Sequence, residues 1–132
     1  VIDRRKGLIT YSRAGHPPPL VVTGDLITWL DGGGGVPLAV GSGVSRTNDT
    51  FALAPESTLL VYTDGLIERR GESLDVGFQR LADSALALAG ASSVQGIADG
   101  LLQLLLLDDV PDDVVLVVKQ LLRHEPEGAT AR

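Results

Sequence analysis

Short runs of alternating apolar and polar residues fill the first half of the chain, and polar turns separate them. Alternation with a period of two is typical of β-strands with one buried face. The consecutive prolines at positions 17–19 must interrupt strand pairing, because proline donates no backbone hydrogen bond. The pattern therefore predicts strands over residues 1–3, 8–13, 20–23, 26–30, 50–53 and 58–62.

The period of the pattern changes after residue 74, where apolar residues recur at the intervals of an amphipathic helix. Asp75 is predicted to cap a first helix that extends to residue 89, with Gly90 closing it. Ser92 or Ser93 is predicted to cap a second helix that extends to residue 107. The side chains expected to be buried are Val76, Leu81, Ala85 and Leu88 in the first helix and Val94, Ile97, Leu101, Leu104 and Leu105 in the second.

A last apolar run, over residues 114–119, is rich in β-branched side chains. Such runs are typical of strands that are buried on both faces. Strands followed by two helices and a closing strand indicate an α+β fold, with layered antiparallel β-sheets flanked by helices. We predict a single domain over residues 1–123 and a flexible tail over residues 124–132.

The composition narrows the possible chemistry. With 132 residues, 44% of them hydrophobic, the chain has the size and apolar content of one folded domain, and its net charge of −6 argues against binding to nucleic acid or anionic membranes. No cysteine and only two histidines are present, so thiolate catalysis is excluded and a metal would be held mainly by carboxylates. No apolar run approaches the ~20 residues that span a bilayer, and no signal peptide is visible, so a cytoplasmic location is expected.

Acidic residues stand at the ends of two predicted strands. Asp64 follows the strand over 58–62 after one residue and precedes Gly65, which permits a tight turn, whereas Asp112 and Asp113 directly precede the last strand. If these two strands pair antiparallel, the carboxylates emerge at the same edge of the sheet and offer oxygen ligands to Mg²⁺ or Mn²⁺. From the spacing alone, an ordinary Asp-Gly turn and a solvated strand entry are the better explanation of the same residues.

Several segments occur in the order of a known family. Residues 14–19 read Ala-Gly-His-Pro-Pro-Pro and resemble the Ala-Gly-His-x-Pro-Pro segment of the bacterial, stage-II-sporulation-E-like branch of the metal-dependent type 2C serine/threonine phosphatases. Residues 59–70 resemble the family's strand followed by Thr-Asp-Gly-Val-x-Glu, and residues 112–118 resemble its closing Asp-Asp-x-Thr-Leu-x-Val strand. Residues 34–41 and 77–81 add weaker similarity. The ordered set is more specific than any one motif.

The resemblance implies a partial type 2C phosphatase β-sandwich and hydrolysis of phosphoserine or phosphothreonine by water activated between two Mn²⁺ or Mg²⁺ ions. It also implies a phosphorylated protein substrate, which we suspect to be an anti-sigma-factor antagonist in a bacterial partner-switching pathway for stress or developmental transcription. The residues that it assigns are Asp64, Asp112 and Asp113 as metal ligands, with Gly65, Glu68 and His16 as neighbouring loop or outer-sphere candidates.

The chain also departs from the family pattern. The resemblance covers the C-terminal part of the family's domain, and the Asp-x-x-Gly-His-Gly-like segment that carries the metal-bridging Asp is absent from this sequence. Val115 stands where the family usually has Thr. We therefore expect weak or no turnover by this chain alone. A catalytically incomplete regulatory or protein-interaction module that keeps the fold is the alternative. Unpaired strand edges are expected to favour a homodimer or aggregation.

Two of the candidates have simpler explanations. His16 is suited to act as a general acid, but between a glycine and a proline it is better explained as a residue that shapes a loop. Glu68 is suited to tune a metal from outside its ligand sphere, but an ion pair with Arg69, Arg70 or Arg80 is the more ordinary expectation.

Overall fold

The computed structural model describes residues 1–38, 43, 45–91, 93–106 and 113–122. The regular elements of this part of the chain are strands β1 to β7, helices α1 and α2, and a 3₁₀ turn between β6 and α1. In chain order they are β1 (Ile2–Asp3), β2 (Leu8–Tyr11), β3 (Leu20–Thr23), β4 (Leu26–Trp29), β5 (Asp49–Ala52), β6 (Thr58–Tyr62), the 3₁₀ turn (Asp64–Leu66), α1 (Leu74–Leu88), α2 (Val94–Leu105) and β7 (Leu116–Gln120).

The strands form two antiparallel sheets. The small sheet has the order β1-β2-β5, and the large sheet has the order β4-β3-β6-β7. In the large sheet Leu20 lies opposite both Trp29 and Leu60, and Tyr62 lies opposite Leu116. The predicted α+β fold with layered antiparallel sheets and flanking helices is confirmed.

Alternate residues of the central strands point to two different cores. Val21 and Leu59 face the small sheet and pack with Ile9 and Leu53. Their neighbours along each strand face the helices instead. That second core contains Leu20, Val22, Leu60, Tyr62, Leu66, Ile67, Leu81, Ala85, Ile97, Leu101 and Leu105. The large sheet is therefore the middle layer, which explains why β3 and β6 are apolar on both faces.

The helices lie close to their predicted positions, but in each helix some side chains that were expected to be buried are exposed. Ser93 caps α2 through its hydroxyl, which accepts a 2.9 Å hydrogen bond from the amide of Gly96. Ile97, Leu101 and Leu105 are buried as expected. The predicted burial of Val94 and Leu104 is wrong, because both are exposed: Val94 is the first residue of the helix, and Leu104 lies beside the buried stripe.

Helix α1 starts earlier in the structure than the sequence predicted. The N-cap is Ser73 and not Asp75, which lies within the first turn. Leu81 and Ala85 are buried as predicted, whereas Val76 in the first turn is exposed. With 15 and 12 residues, neither α1 nor α2 has the length and apolar character needed to cross a membrane, and the described residues contain no other α-helix.

The last strand differs from its prediction. β7 spans Leu116–Gln120, and the expectation that it is buried on both faces is wrong. Its helix-facing side chains are partly buried, but Val115 and Val117 are exposed on the other side. On that side of the large sheet the small sheet covers Val21, Leu59 and Leu121. Val115 and Val117 lie beyond its reach.

Candidate metal site

The predicted site residues lie beside the ends of three strands of the large sheet, and these strand ends meet at one end of that sheet. Because neighbours are antiparallel, the start of β3 lies beside the ends of β4 and β6, and the start of β7 lies beside the end of β6. We call this the site end. The segments gathered there are residues 14–19, 31–35, 63–65 and 113–115.

Thr63 joins the two acidic segments of the site end. Its amide donates a 3.0 Å hydrogen bond to the carbonyl of Val115. Its hydroxyl oxygen accepts a 3.0 Å hydrogen bond from the amide of Val115 and lies 3.2 Å from the carbonyl oxygen of Asp113, to which it donates. Asp64, the next residue along the chain, and Asp113 therefore leave adjacent strand ends, as the sequence predicted.

The 3₁₀ turn presents Asp64 to solvent. Its main-chain carbonyl accepts hydrogen bonds from the amides of Ile67 (3.0 Å) and Glu68 (2.9 Å), so the backbone closes the turn while the carboxylate stays available. Gly65 is buried beneath the turn and Asp64 is exposed. The local sequence thus holds a carboxylate at the site end without using its side chain for the fold.

The donor set suits a hard cation. Asp64 and Asp113 are both exposed and offer oxygen ligands from adjacent strand ends, and Mg²⁺ characteristically binds through one or two carboxylates and several waters. Asp112 lies outside the described residues, so its predicted approach to Asp64 stays a prediction. Within residues 1–38, 43, 45–91, 93–106 and 113–122, no group of three acidic or histidine side chains converges.

Glu68 was a candidate to influence the metal from outside its ligand sphere. Glu68 is exposed, and the ion pair expected for it is not formed with Arg69, Arg70 or Arg80. Arg80 instead pairs with Glu72, which lies closer to the start of α1, and this is the one ion pair within the described segments. Glu68 therefore remains next to Asp64 with its carboxylate in solvent.

His16 lies in a loop that other residues hold in place at the site end. The guanidinium of Arg13 donates to the carbonyls of Gly32 (3.0 Å) and His16 (3.4 Å) and to the carbonyl of Asp31. Arg13 thereby fastens residues 14–19 to the loop that follows β4. The imidazole of His16 is not part of this contact, and the residue is exposed.

Tyr62 ties the same loop to β6. Its hydroxyl donates a 2.8 Å hydrogen bond to the carbonyl of Pro18, and its ring is buried in the helix-side core. Sequence reasoning missed both Arg13 and Tyr62. A signal existed for Tyr62, because a tyrosine in an apolar strand usually has a partner for its hydroxyl. No local pattern distinguishes Arg13 from the other arginines.

The alkaline stability of the protein should report on Tyr62. Burial raises the pKa of the Tyr62 hydroxyl above its usual value of about 10, and the positive charge of Arg13 offsets this only in part. Above pH ~10 the unfolded chain releases this proton before the folded chain does, so the free energy of unfolding should fall as the pH rises. Urea denaturation between pH 8 and 11 measures this decline.

Tyr62→Phe should lower the free energy of unfolding by about 1–2 kcal/mol at pH 7, because the Pro18 carbonyl loses its donor, and should make the decline above pH ~10 shallower. Tyr11→Phe is the matched control. Tyr11 is only half-buried, and burial followed by the charge of Asp49 raises its pKa as well. An equal change of slope in both variants would contradict the special position of Tyr62.

Comparison with known families identifies the chain. The family described as Stage II sporulation protein E (SpoIIE) matches residues 1–121. The structure that combines the RsbU and RsbW domains of a Mycobacterium tuberculosis protein is 35% identical, with a TM-score of 0.77 over 94% of this chain. The match takes up 36% of that protein.

Two more distant structures share the fold. The phosphatase domain of SpoIIE from Bacillus subtilis, presoaked with Mn, is 20% identical, with a TM-score of 0.69 over 96% of this chain and 56% of that one. RsbX in complex with magnesium is 17% identical, with a TM-score of 0.56 over 90% of this chain and 52% of that one. The 132 residues thus span between 36% and 56% of these three proteins. The match over residues 1–121 shows that this chain belongs to the Stage II sporulation protein E family and has the fold of its PP2C phosphatase domain.

Proposed function

We propose that this chain is the C-terminal portion of a metal-dependent protein serine/threonine phosphatase domain, comprising residues 1–123; the tail predicted over residues 124–132 lies outside the described residues. The observation that carries the proposal is the pair of hydrogen bonds by which Thr63 joins the strand end at Asp64 to the strand start at Asp113. In a SpoIIE-family chain this link between two acidic segments supports the proposal that their carboxylates hold a hard cation.

The residues that would hold Mn²⁺ or Mg²⁺ are Asp64, Asp112 and Asp113. Such ions, two in the intact domain, lower the pKa of a bound water and stabilise the charge that develops on the phosphoryl oxygens. The chain itself contributes by positioning these carboxylates. Thr63 fixes the spacing of the acidic strand ends, and Tyr62 and Arg13 hold the loop beside them. The manganese and magnesium in the names of the two distant structures support this choice of ion.

The proposed substrate is a phosphorylated anti-sigma-factor antagonist in a cytoplasmic partner-switching pathway. The Mycobacterium tuberculosis relative, which combines RsbU and RsbW domains in one protein, supports a role in that kind of circuit. We also infer that two copies of this chain can associate.

Binding of Mn²⁺ tests the site directly. Loss of an outer partner of a metal ligand costs about 10–100-fold in affinity, so loss of a ligand itself should cost at least as much. We therefore expect Asp64→Asn to weaken Mn²⁺ binding by about tenfold or more in a calorimetric titration. The turn should survive, because the main-chain carbonyl of Asp64, not its side chain, closes it.

Asp25→Asn provides a control with the same change of charge. Asp25 is an exposed residue in the turn between β3 and β4, at the opposite end of the large sheet. Its substitution should leave the Mn²⁺ affinity unchanged. Equal losses in both variants, or no Mn²⁺ binding by the unaltered chain, would contradict the metal site and favour an interaction module that has kept the fold.

Turnover by the 132 residues alone should be slow. No Asp-x-x-Gly-His-Gly-like segment is present to supply the carboxylate that bridges two ions, and each ~1.4 kcal/mol of lost transition-state stabilisation is a factor of ten in rate. Hydrolysis of p-nitrophenyl phosphate with Mn²⁺ measures this. A rate typical of an intact enzyme, abolished by Asp64→Ala, would show that another carboxylate such as Asp113 bridges the ions.

A further inference from the structure

Arg69 follows Asp64 by five positions and is not among the residues of the proposed metal site. It forms a pair with Arg70, but the two arginines have different surroundings. Arg70 is exposed, whereas Arg69 is half-buried and donates a 3.3 Å hydrogen bond from its guanidinium to the main-chain carbonyl of Leu105. Because these two residues lie 36 positions apart, the contact joins two distant segments of the chain.

The contact is made at the end of a helix. Leu105 is the last residue of α2, where an α-helix has no further amide donors for its carbonyl groups. The partial negative charge of such a terminus favours a cation, and the last turn of α2 contains no basic residue of its own. Arg69 therefore supplies, from another segment, a donor and a positive charge that suit this helix end.

The backbone of Arg69 is fixed to the turn that presents Asp64. The amide of the preceding residue, Glu68, donates a 2.9 Å hydrogen bond to the carbonyl of Asp64. The carbonyl of Arg69 itself accepts a 3.2 Å hydrogen bond from the amide of Glu72. Since hydrogen bonds hold the backbone on both sides of residue 69, its side chain sets the distance between the 3₁₀ turn and the C-terminus of α2.

The chain continues from this helix end to the second acidic segment. In the sequence, Asp112 follows Leu105 by seven positions and is succeeded by Asp113. Thr63 binds the main chain of Asp113 on the sheet side, and Arg69 binds the main chain of Leu105 on the helix side. The stretch that contains Asp112 is thus anchored near the Asp64 turn at both of its ends.

We propose that Arg69 is a positioning residue of the metal site, because it holds the C-terminus of α2 against the Asp64 turn and so sets the spacing between Asp64 and the stretch that contains Asp112. This inference rests on the proposed function, since it concerns the carboxylates assigned there. In this role Arg69 does not touch the cation. As a positive charge alone it would repel a divalent cation, so its charge and its positioning have effects of opposite sign.

Calorimetric titration with Mn²⁺ distinguishes these two effects. Arg69→Met keeps the apolar stem of the side chain and removes the charge and the donor. It should weaken Mn²⁺ binding by about tenfold, as loss of an outer partner of a metal ligand does, whereas removal of a merely repulsive charge would strengthen binding. Arg69→Lys retains a charged donor and should recover most of the lost affinity. Arg70→Met makes the same change at the exposed neighbour and should not weaken binding.

A double-mutant cycle with Asp112→Asn supplies a readout that a merely structural arginine would not move. Urea denaturation first establishes that each variant is folded under the conditions of the titration. If Arg69 acts through the spacing of two carboxylates, Arg69→Met should have little further effect on the Mn²⁺ affinity of the Asp112→Asn chain. The two losses of affinity should therefore not be additive.

Hydrogen exchange tests the same contact without a metal. The amides of Ile67 and Glu68 close the turn at Asp64, and they exchange with solvent when this turn opens. Arg69→Met should speed exchange at both amides several-fold. The amide of Leu53, which bonds to the carbonyl of Gly7 in the small sheet, should exchange at its original rate.

The outcomes separate this inference from the proposed function. No Mn²⁺ binding by the unaltered chain, or equally tight binding after Asp64→Asn, would contradict both. Weaker binding after Asp64→Asn, combined with unchanged or tighter binding after Arg69→Met, would overturn the positioning role alone. Additive losses in the cycle with Asp112→Asn, or unchanged exchange at the amides of Ile67 and Glu68, would also overturn it.

Discussion

Leu101→Ala is expected to lower the free energy of unfolding by about 2–5 kcal/mol. Leu101 is fully buried in the core between the large sheet and the helices, where α2 packs against both α1 and β7. Truncation removes the transfer free energy of the side chain and leaves a cavity that close-packed neighbours fill only in part. Urea denaturation, with the slope checked for two-state behaviour, gives the value.

Leu104→Ala is the matched control, in the same helix and with the same change of side chain. Leu104 is exposed, so little apolar surface returns to water, and the expected loss is about 0.5 kcal/mol or less. If both variants lost the same stability, the packed face of α2 would not be the one that carries Leu101. If neither did, the helix would contribute little to the fold.

The contrast between these two leucines shows what an amphipathic pattern determines. The spacing of Ile97, Leu101 and Leu105 is enough to predict a helix and its buried centre, because these positions lie on one narrow stripe. It does not fix how wide the stripe is. Leu104 flanks the stripe and Val94 continues it at the first residue of the helix, and whether they are covered depends on how far the sheet extends beneath the helix, which is a property of the whole fold.

For the strands, too, the position could be predicted from the sequence, but the extent of burial could not. Alternation and turn residues placed β3, β4 and β6 to within one residue, because short hairpins leave little freedom of register. The exposure of Val115 and Val117 was unpredictable, since a continuous apolar run has no internal mark of how many strands the facing sheet has. That face is covered only where the small sheet reaches.

The sequence predicted that two acidic segments meet at one sheet edge, but it did not reveal the contacts that hold the neighbouring loops in place. Asp64 and Asp113 were predicted to share one sheet edge from their places beside apolar strands, and Thr63 does join those strand ends. The contact from Arg13 to the carbonyls of Asp31 and Gly32 links residues 18 and 19 positions apart. Such long-range contacts leave no periodicity in the sequence.

Gly77→Ala is expected to lower the free energy of unfolding by about 2 kcal/mol, although alanine favours helices by about 1 kcal/mol over glycine. α1 crosses the 3₁₀ turn so closely that a Cβ on Gly77 would lie 2.3 Å from the main-chain carbonyl oxygen of Ile67. A rigid backbone cannot rotate away, so the helix or the turn must shift, and overpacking of this kind typically costs about 1–3 kcal/mol or more. Urea denaturation measures the loss.

Gly100→Ala separates this clash from the general effect of adding a methyl group to a helix. A Cβ on Gly100 would lie 2.7 Å from the end of the Leu88 side chain, which can change rotamer. The free energy of unfolding of the Gly100→Ala variant should therefore stay within about 1 kcal/mol of that of the unaltered chain. Ile67 closes the turn that begins at Asp64, so only Gly77→Ala should also weaken the proposed Mn²⁺ binding. A Gly77→Ala protein as stable as the original would mean that α1 does not press on the turn. A destabilised protein with unchanged Mn²⁺ affinity would mean that the position of Asp64 is set by Thr63 and β7 and not by the helix.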